Sequence, residues 1–344
     1  LGDKQGALAD YNQALRINPN YADAYLGRGN ARSELGDKQG ALADYNQALR
    51  INPNYADAYY NRGNARRGLG DNQGALADYS EALRMNPNDA GLYYNRGIVR
   101  SDLGDKQGAV ADYNEALRIN PNHAQAYNNR GNTRRSLGSN QDAIADFNEA
   151  LRINRNLFQA YYNRGLARRS LGEKQGALAD FNETLRINPN YGDAYKSRGN
   201  LRSALGDKQG ALADFTEALR INPNYGAAYV NRGIAYYDLG DYQRAITDYS
   251  EALRIYPNDA LAYYNRGVAR VRLGEFQSAI GDYSEALRIN PNLAAAYQNR
   301  GVARRDSGDK PGAIQDFQKA ADLYQQQGDK DSYEKAINIL RRLQ

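Results

Sequence analysis

Small and apolar residues recur along this chain at helical spacing, and the pattern is cut at regular intervals by glycine and by Asn-Pro pairs. Within Asn72–Met85, the residues Ala75, Tyr79, Ala82 and Leu83 fall on one face of a helix. In the preceding stretch, from Ala56 to Leu69, Tyr59, Gly63 and Arg66 share one side, while Asp57, Tyr60, Asn61 and Asn64 lie roughly opposite. The pattern predicts two helices. Gly70 ends the first, because a residue without Cβ can turn in the left-handed region. Asp71 supplies an N-cap oxygen to the second. Asn86-Pro87-Asn88 ends that one, since proline cannot continue a helix interior. Turns this short force consecutive helices to run antiparallel.

The same helix pair returns without insertion. The segment ADAYYNRGNARRGLGDNQGALADYSEALRMNPND, Ala56 to Asp89, recurs every 34 residues, in windows starting at 22, 56, 90, 124, 158, 192, 226, 260 and 294. Residues 1–21 match the second half of one more repeat, so the chain parses as that half (1–21), nine tandem repeats (22–327) and a C-terminal segment (328–344). Gly and Ala let paired helices approach, and Tyr or Phe fills the space between them.

Over essentially its whole length this pattern resembles the tetratricopeptide repeat. The resemblance rests on Tyr59, Arg62-Gly63, Arg66, Ala75, Tyr79 and Pro87 and their equivalents. Two slots depart from the family pattern. The leucine slot is Arg in all nine repeats, and the following aromatic slot is Arg in all but one, where Tyr236 stands. Locally, Arg155 replaces a loop proline. The resemblance implies an all-α, right-handed superhelical solenoid of antiparallel helix pairs, its concave wall built from the first helices. It also implies a protein-interaction scaffold that binds a protein or an extended peptide. Segment 328–344, with Tyr333, Ile337 and Leu340 on one face, resembles the solvating helix that caps such arrays. The half-repeat at the other end lacks a first helix, so Leu8, Tyr11 and Leu15 are expected to be exposed and to invite head-to-tail self-association.

Each Arg in the leucine slot is followed sixteen residues later by Asp: Arg62 by Asp78, Arg96 by Asp112, Arg130 by Asp146, and so on through the array. This spacing predicts a clasp between the two helices of a repeat, whose benefit is helix register more than net stability.

The inward face of the first helices supplies the binding candidates. One column carries Asn61, Asn95, Asn129, Asn163, Asn231, Asn265 and Asn299, interrupted by Gly27 and Ser197. Three residues on, a second column carries Asn30, Asn64, Asn132 and Asn200, with Ile or Leu or Val elsewhere. A carboxamide both donates and accepts, so such a column can pair with a peptide backbone independently of its sequence. The alternative is that these asparagines are surface filler copied by duplication. Tyr60, Tyr94, Tyr162 and Tyr264 add aromatic platforms beside them. Lys196, Asn200 and Asn231 fit three slots of the clamp with which some family members hold the carboxylate tail of heat-shock chaperones. Leu261 and Asn265 stand where its last cations belong, so the clamp is incomplete.

Composition changes this picture little. The chain has 29 Tyr, six Phe, no Trp and no Cys, which excludes disulfides and thiol chemistry. The formal net charge is +5, but most arginines sit at three fixed positions of the repeat, balanced by Asp and Glu at others. That distribution is architectural and argues against nucleic acid as the partner. No apolar run approaches the length of a membrane span. The single histidine, His123, is expected in a solvated loop; no cluster suits a metal and no glycine loop suits a phosphate, so neither catalysis nor a cofactor is expected. The chain opens on Leu1-Gly2-Asp3 and is read as a fragment, with any targeting signal outside it.

Overall fold

The computed structural model describes residues 3–343, which form twenty α-helices and no strand among the described residues. In chain order they begin α1 (Lys4–Ile17), α2 (Ala22–Glu34), α3 (Lys38–Ile51), α4 (Ala56–Gly68), α5 (Asn72–Met85), α6 (Ala90–Asp102) and α7 (Lys106–Ile119). They continue α8 (Ala124–Ser136), α9 (Asn140–Ile153), α10 (Phe158–Ser170), α11 (Lys174–Ile187), α12 (Gly192–Ala204), α13 (Lys208–Ile221) and α14 (Gly226–Asp238). The last are α15 (Tyr242–Ile255), α16 (Ala260–Arg272), α17 (Phe276–Ile289), α18 (Ala294–Asp306), α19 (Lys310–Gln327) and α20 (Lys330–Leu343). Even-numbered helices α2 to α18 are the first helices of the repeats.

Local chemistry sets the boundaries. Gly70 turns at φ +85°, and Asp71 Oδ1 then accepts from the Gly74 amide at 2.8 Å, capping α5. Such a cap contributes about 1 kcal/mol. Ser139 and Glu275 occupy the same place without a side-chain cap bond. At the other turn Asn52 Oδ1 accepts from the Asn54 amide at 3.1 Å, and the equivalent bond, Asn156 to Asn154 at 3.0 Å, survives where Arg155 replaces proline. Leu157 beside it packs onto the Ala143–Phe147–Leu151 cluster.

The chain divides into two compact units, Leu1–Asp180 and Phe181–Gln344. Inside each, a first helix packs on the second helix of its own repeat and on the second helix of the one before. Successive first helices also touch, as α2 with α4 and α14 with α16 do, and no two second helices pack to the same extent among the described residues. The core lies between paired helices. Tyr79 and Phe147 are fully buried, and Ala75, Ala82 and Leu83 close around Tyr79. Burying each such large side chain stabilises the fold by roughly 1.5–3 kcal/mol. Gly63 is required there, since a Cβ on it would lie 2.8 Å from the Tyr79 ring.

The ends differ from the expectation at one point. Leu15 is buried and Leu8 and Tyr11 are half-buried, because α2 covers the stripe of α1 that was expected to be bare. At the other end α19 runs for 18 residues where α17 has 14, Gly328 turns left-handed, and α20 packs Leu340 against Ala313 and Phe317.

Candidate functional site

The first asparagine column forms hydrogen bonds from repeat to repeat. Asn95 Nδ2 donates to Tyr60 Oη (3.2 Å), Asn129 to Tyr94 Oη (3.2 Å) and Asn299 to Tyr264 Oη (3.0 Å). Asn61 donates to Asn30 Oδ1 (2.9 Å), Asn163 to Asn128 Oδ1 (3.1 Å) and Asn231 to Asn200 Oδ1 (2.8 Å). One rule covers these six. The amide reaches back to whichever of two positions on the preceding first helix offers an oxygen, the one carrying Tyr60 or the one carrying Asn30. Asn265 finds Val230 and Ile234 at those positions, and among the described residues its carboxamide makes no hydrogen bond.

The second column is anchored from below. Tyr45 Oη donates to Asn30 Oδ1 (2.9 Å), and Tyr79 Oη to Asn64 Oδ1 (2.7 Å). Burial pushes both phenols up to about 12. Where the column is apolar, Tyr113, Tyr249 and Tyr283 lie beneath it and burial raises their phenols further.

Between neighbouring first helices the same small pocket recurs, and its lining changes. Between α2 and α4 it measures about 320 Å³, with Asn30, Ser33, Glu34, Asn61 and Asn64 over Tyr45. Between α6 and α8 it measures about 160 Å³, with Ile98, Ser101, Asp102, Asn129 and Asn132 over Tyr113. Between α16 and α18 it measures about 230 Å³, with Val268, Val271, Arg272, Asn299 and Val302 over Tyr283. The three linings occupy equivalent positions of the repeat. The backbone therefore repeats a socket, and side chains set its polarity.

The opposite flank of the first helices holds the charged network. Arg62 Nε and Nη2 donate to the two Asp78 oxygens at 3.0 and 2.6 Å, and Arg66 Nη1 donates to the same carboxylate at 2.9 Å. Arg62 Nη1 also reaches Asn46 on the preceding second helix at 2.7 Å, and its guanidinium lies 5.2 Å from the centre of the Tyr59 ring. Asp78 is 2% exposed, so one buried carboxylate pairs with two cations. Arg96 with Asp112 and Arg130 with Asp146 repeat the bidentate pair. Asp248 holds Arg232 alone, because Tyr236 replaces its second arginine.

Of the remaining candidates, Tyr60, Tyr94 and Tyr264 tilt against the core rings Tyr79, Tyr113 and Tyr283. Tyr162, on α10, is half-buried. Lys196 lies 4.8 Å over the Tyr225 ring and 3.8 Å from Asp193. Asn132 Oδ1 accepts from Arg135 at 3.0 Å. His123 corrects the solvated-loop expectation: it is half-buried at the start of α8, its ring 4.6 Å from that of Tyr94, and burial lowers its basicity. Sequence reasoning missed the rim residues Glu34, Asp102 and Arg272, which close the sockets beside Ser33, Ser101 and Val271. Their signal was variability on an otherwise uniform helix.

A tetratricopeptide repeat model matches residues 60–124, 197–260, 231–294 and 264–328, more than half of the chain. The chain belongs to the tetratricopeptide repeat family. Further models described as TPR repeat or tetratricopeptide repeat match residues 1–36, 29–70, 112–145, 131–172 and 158–191. Among solved structures, a tetratricopeptide repeat protein from Parabacteroides merdae is similar at 24% identity and a TM-score of 0.57, over 72% of this chain and 98% of that one. The APC/C hetero-tetramer Cut9-Hcn1 is similar at 15% identity and 0.54, over 98% and 81%. The pilF protein of Pseudomonas aeruginosa is similar at 19% and 0.53, over 60% and 94%. These likenesses show the fold. No curated protein matches the chain. Tetratricopeptide repeat proteins are in general interaction scaffolds that bind proteins or peptides, and not enzymes. Among the described residues no helix is long and apolar enough to cross a membrane, and no group of side chains is arranged to hold a metal ion.

Proposed function

We propose that this tetratricopeptide repeat chain holds an extended segment of another protein along the face built by its first helices. The observation that carries the reading is the recurring socket between neighbouring first helices, rimmed by an asparagine carboxamide each time. A row of equivalent sockets suits alternate side chains of an extended strand. Each bonded asparagine keeps one N–H and at least one carbonyl lone pair for that strand's backbone, and the internal bond holds the carboxamide in place beforehand, which lowers the ordering cost of binding.

The test blocks the sockets while keeping every asparagine of the two columns in place. Ser33→Lys, Ser101→Lys and Val271→Lys place a long cation in three of them. The expected outcome is an unchanged helical circular-dichroism spectrum with binding to a diverse peptide library reduced at least tenfold. Unaltered binding by the folded triple variant would move the site off this face.

A further inference from the structure

We infer that the socket between α16 and α18 is a specificity subsite for an aliphatic side chain with an acidic residue beside it in the bound segment. The inference rests on the reading of the first-helix face as the binding face and names the ligand chemistry of one part of it. Three observations converge there. Along α14, α16 and α18 the second column reads Ile234, Val268 and Val302, an unbroken apolar run where the N-terminal unit mixes Asn30, Asn64 and Asn132 with Ile98 and Leu166. The socket's volume of about 230 Å³ lies below the roughly 300–1,000 Å³ of sites for whole small molecules, and suits one side chain.

Arg272 closes the rim. Its Nε donates to Tyr237 Oη at 3.1 Å, and among the described residues no carboxylate pairs with it, unlike Arg62, Arg66 or Arg270. The equivalent rim positions in the N-terminal unit carry Glu34 and Asp102, so the sign of charge is reversed here. A guanidinium without an acid partner at the mouth of a socket walled by Val268, Val271 and Val302 is complementary to a carboxylate carried next to an aliphatic group.

The third observation is Asn265. It stands one turn before Val268 on the same face of α16, and its carboxamide is uncommitted because Val230 and Ile234 offer no oxygen. Elsewhere in the column the amide is held by the preceding repeat. Both its donor hydrogens and its acceptor are left for a bound backbone on α16, one repeat before Asn299, the asparagine that rims this valine-lined socket.

The experiment uses the full chain and a library of C-terminally amidated extended peptides, so that carboxylates come from side chains alone. Wild type is expected to select peptides with Val, Ile or Leu adjacent to Asp or Glu. Asn265→Ala should weaken those peptides at least tenfold. Arg272→Gln should abolish the preference for the acidic residue and keep the aliphatic one. Val230→Tyr, which gives Asn265 an internal partner, should weaken binding although the asparagine is retained. If peptides bind but all three variants match wild type, or if the selected sequences lack the aliphatic–acidic pair, the subsite is overturned while the scaffold reading stands. Binding confined to peptides with a free C-terminal carboxylate overturns the side-chain assignment. A folded wild type that selects no peptide overturns both.

Discussion

At the scale of single residues the molecule is organised around buried carboxylates and buried phenols. Asp78 accepts from Arg62 and Arg66 together, and its removal leaves Arg62 without a carboxylate and Arg66 with only Asp71, 3.6 Å away. Breaking a fully buried pair costs about 3–5 kcal/mol. The arginines keep part of their solvent contact, so Asp78→Ala is expected at the lower end, about 3 kcal/mol. Asp248→Ala strands only Arg232 and should cost clearly less. Equilibrium urea unfolding of the two variants, with hydrogen exchange resolving the repeat affected, checks the order; equal losses would mean that the second arginine is solvated surface.

The phenols give a pH signature. Those of Tyr45 and Tyr79 are raised by burial from 10.0 to about 12. A raised folded-state value means that the stabilisation is complete below the unfolded value near 10 and is lost as pH climbs towards 12. Tyrosinate absorbance should therefore rise in two steps, exposed tyrosines first, with loss of helicity accompanying the second. A single step near pH 10 with the helices intact would contradict the burial.

At the scale of elements, the 34-residue period makes helices, turns and caps legible, because each repeat carries its own Gly-Asp stop and start and its own Asn-Pro break. The sixteen-residue spacing points to Arg62 and Asp78, but spacing within one repeat is silent on Asn46, which sits on the helix before. The asparagine column shows the same boundary. The sequence places these residues on one face, and their hydrogen bonds depend on the register of one repeat on the next. Only that register reveals that Asn95 is held by Tyr60 while Asn265 faces Val230. Leu15 was misjudged for the same reason, since the helix that covers it belongs to the following repeat.

The inter-repeat bonds make a measurable prediction. Asn95→Ala removes two hydrogen bonds, to Tyr60 and from Arg67, and should lower stability by about 2 kcal/mol, of which a double-mutant cycle with Tyr60→Phe should recover the part carried by the first bond as coupling. Asn265→Ala should be close to neutral in the same thermal or urea measurement. Equal losses at both positions would show that the column acts through helix propensity and not through its bonds.

At the scale of the whole molecule, each repeat buries its apolar stripe between its own two helices and against its neighbours, so stability is a sum of repeats and the interfaces between them. That arrangement frees one face of the first helices from structural duty at a few positions per repeat. It is there that the chain varies: Glu34, Asp102 and Arg272 occupy one rim position, and Asn30, Ile98 and Val268 one wall position. The family and fold were legible from the period alone. The sockets were not, because each is shared between two repeats and its lining is scattered along the sequence.

The central claim is that the ligand lies on the first-helix face, and photo-crosslinking tests it most directly. A photoreactive residue placed at Ser101 on α6 or at Val271 on α16 should crosslink to a selected extended peptide, and one placed at Glu115 on α7 or Glu285 on α17 should not. Crosslinks confined to Glu115 and Glu285 would contradict the account and put the partner on the second helices.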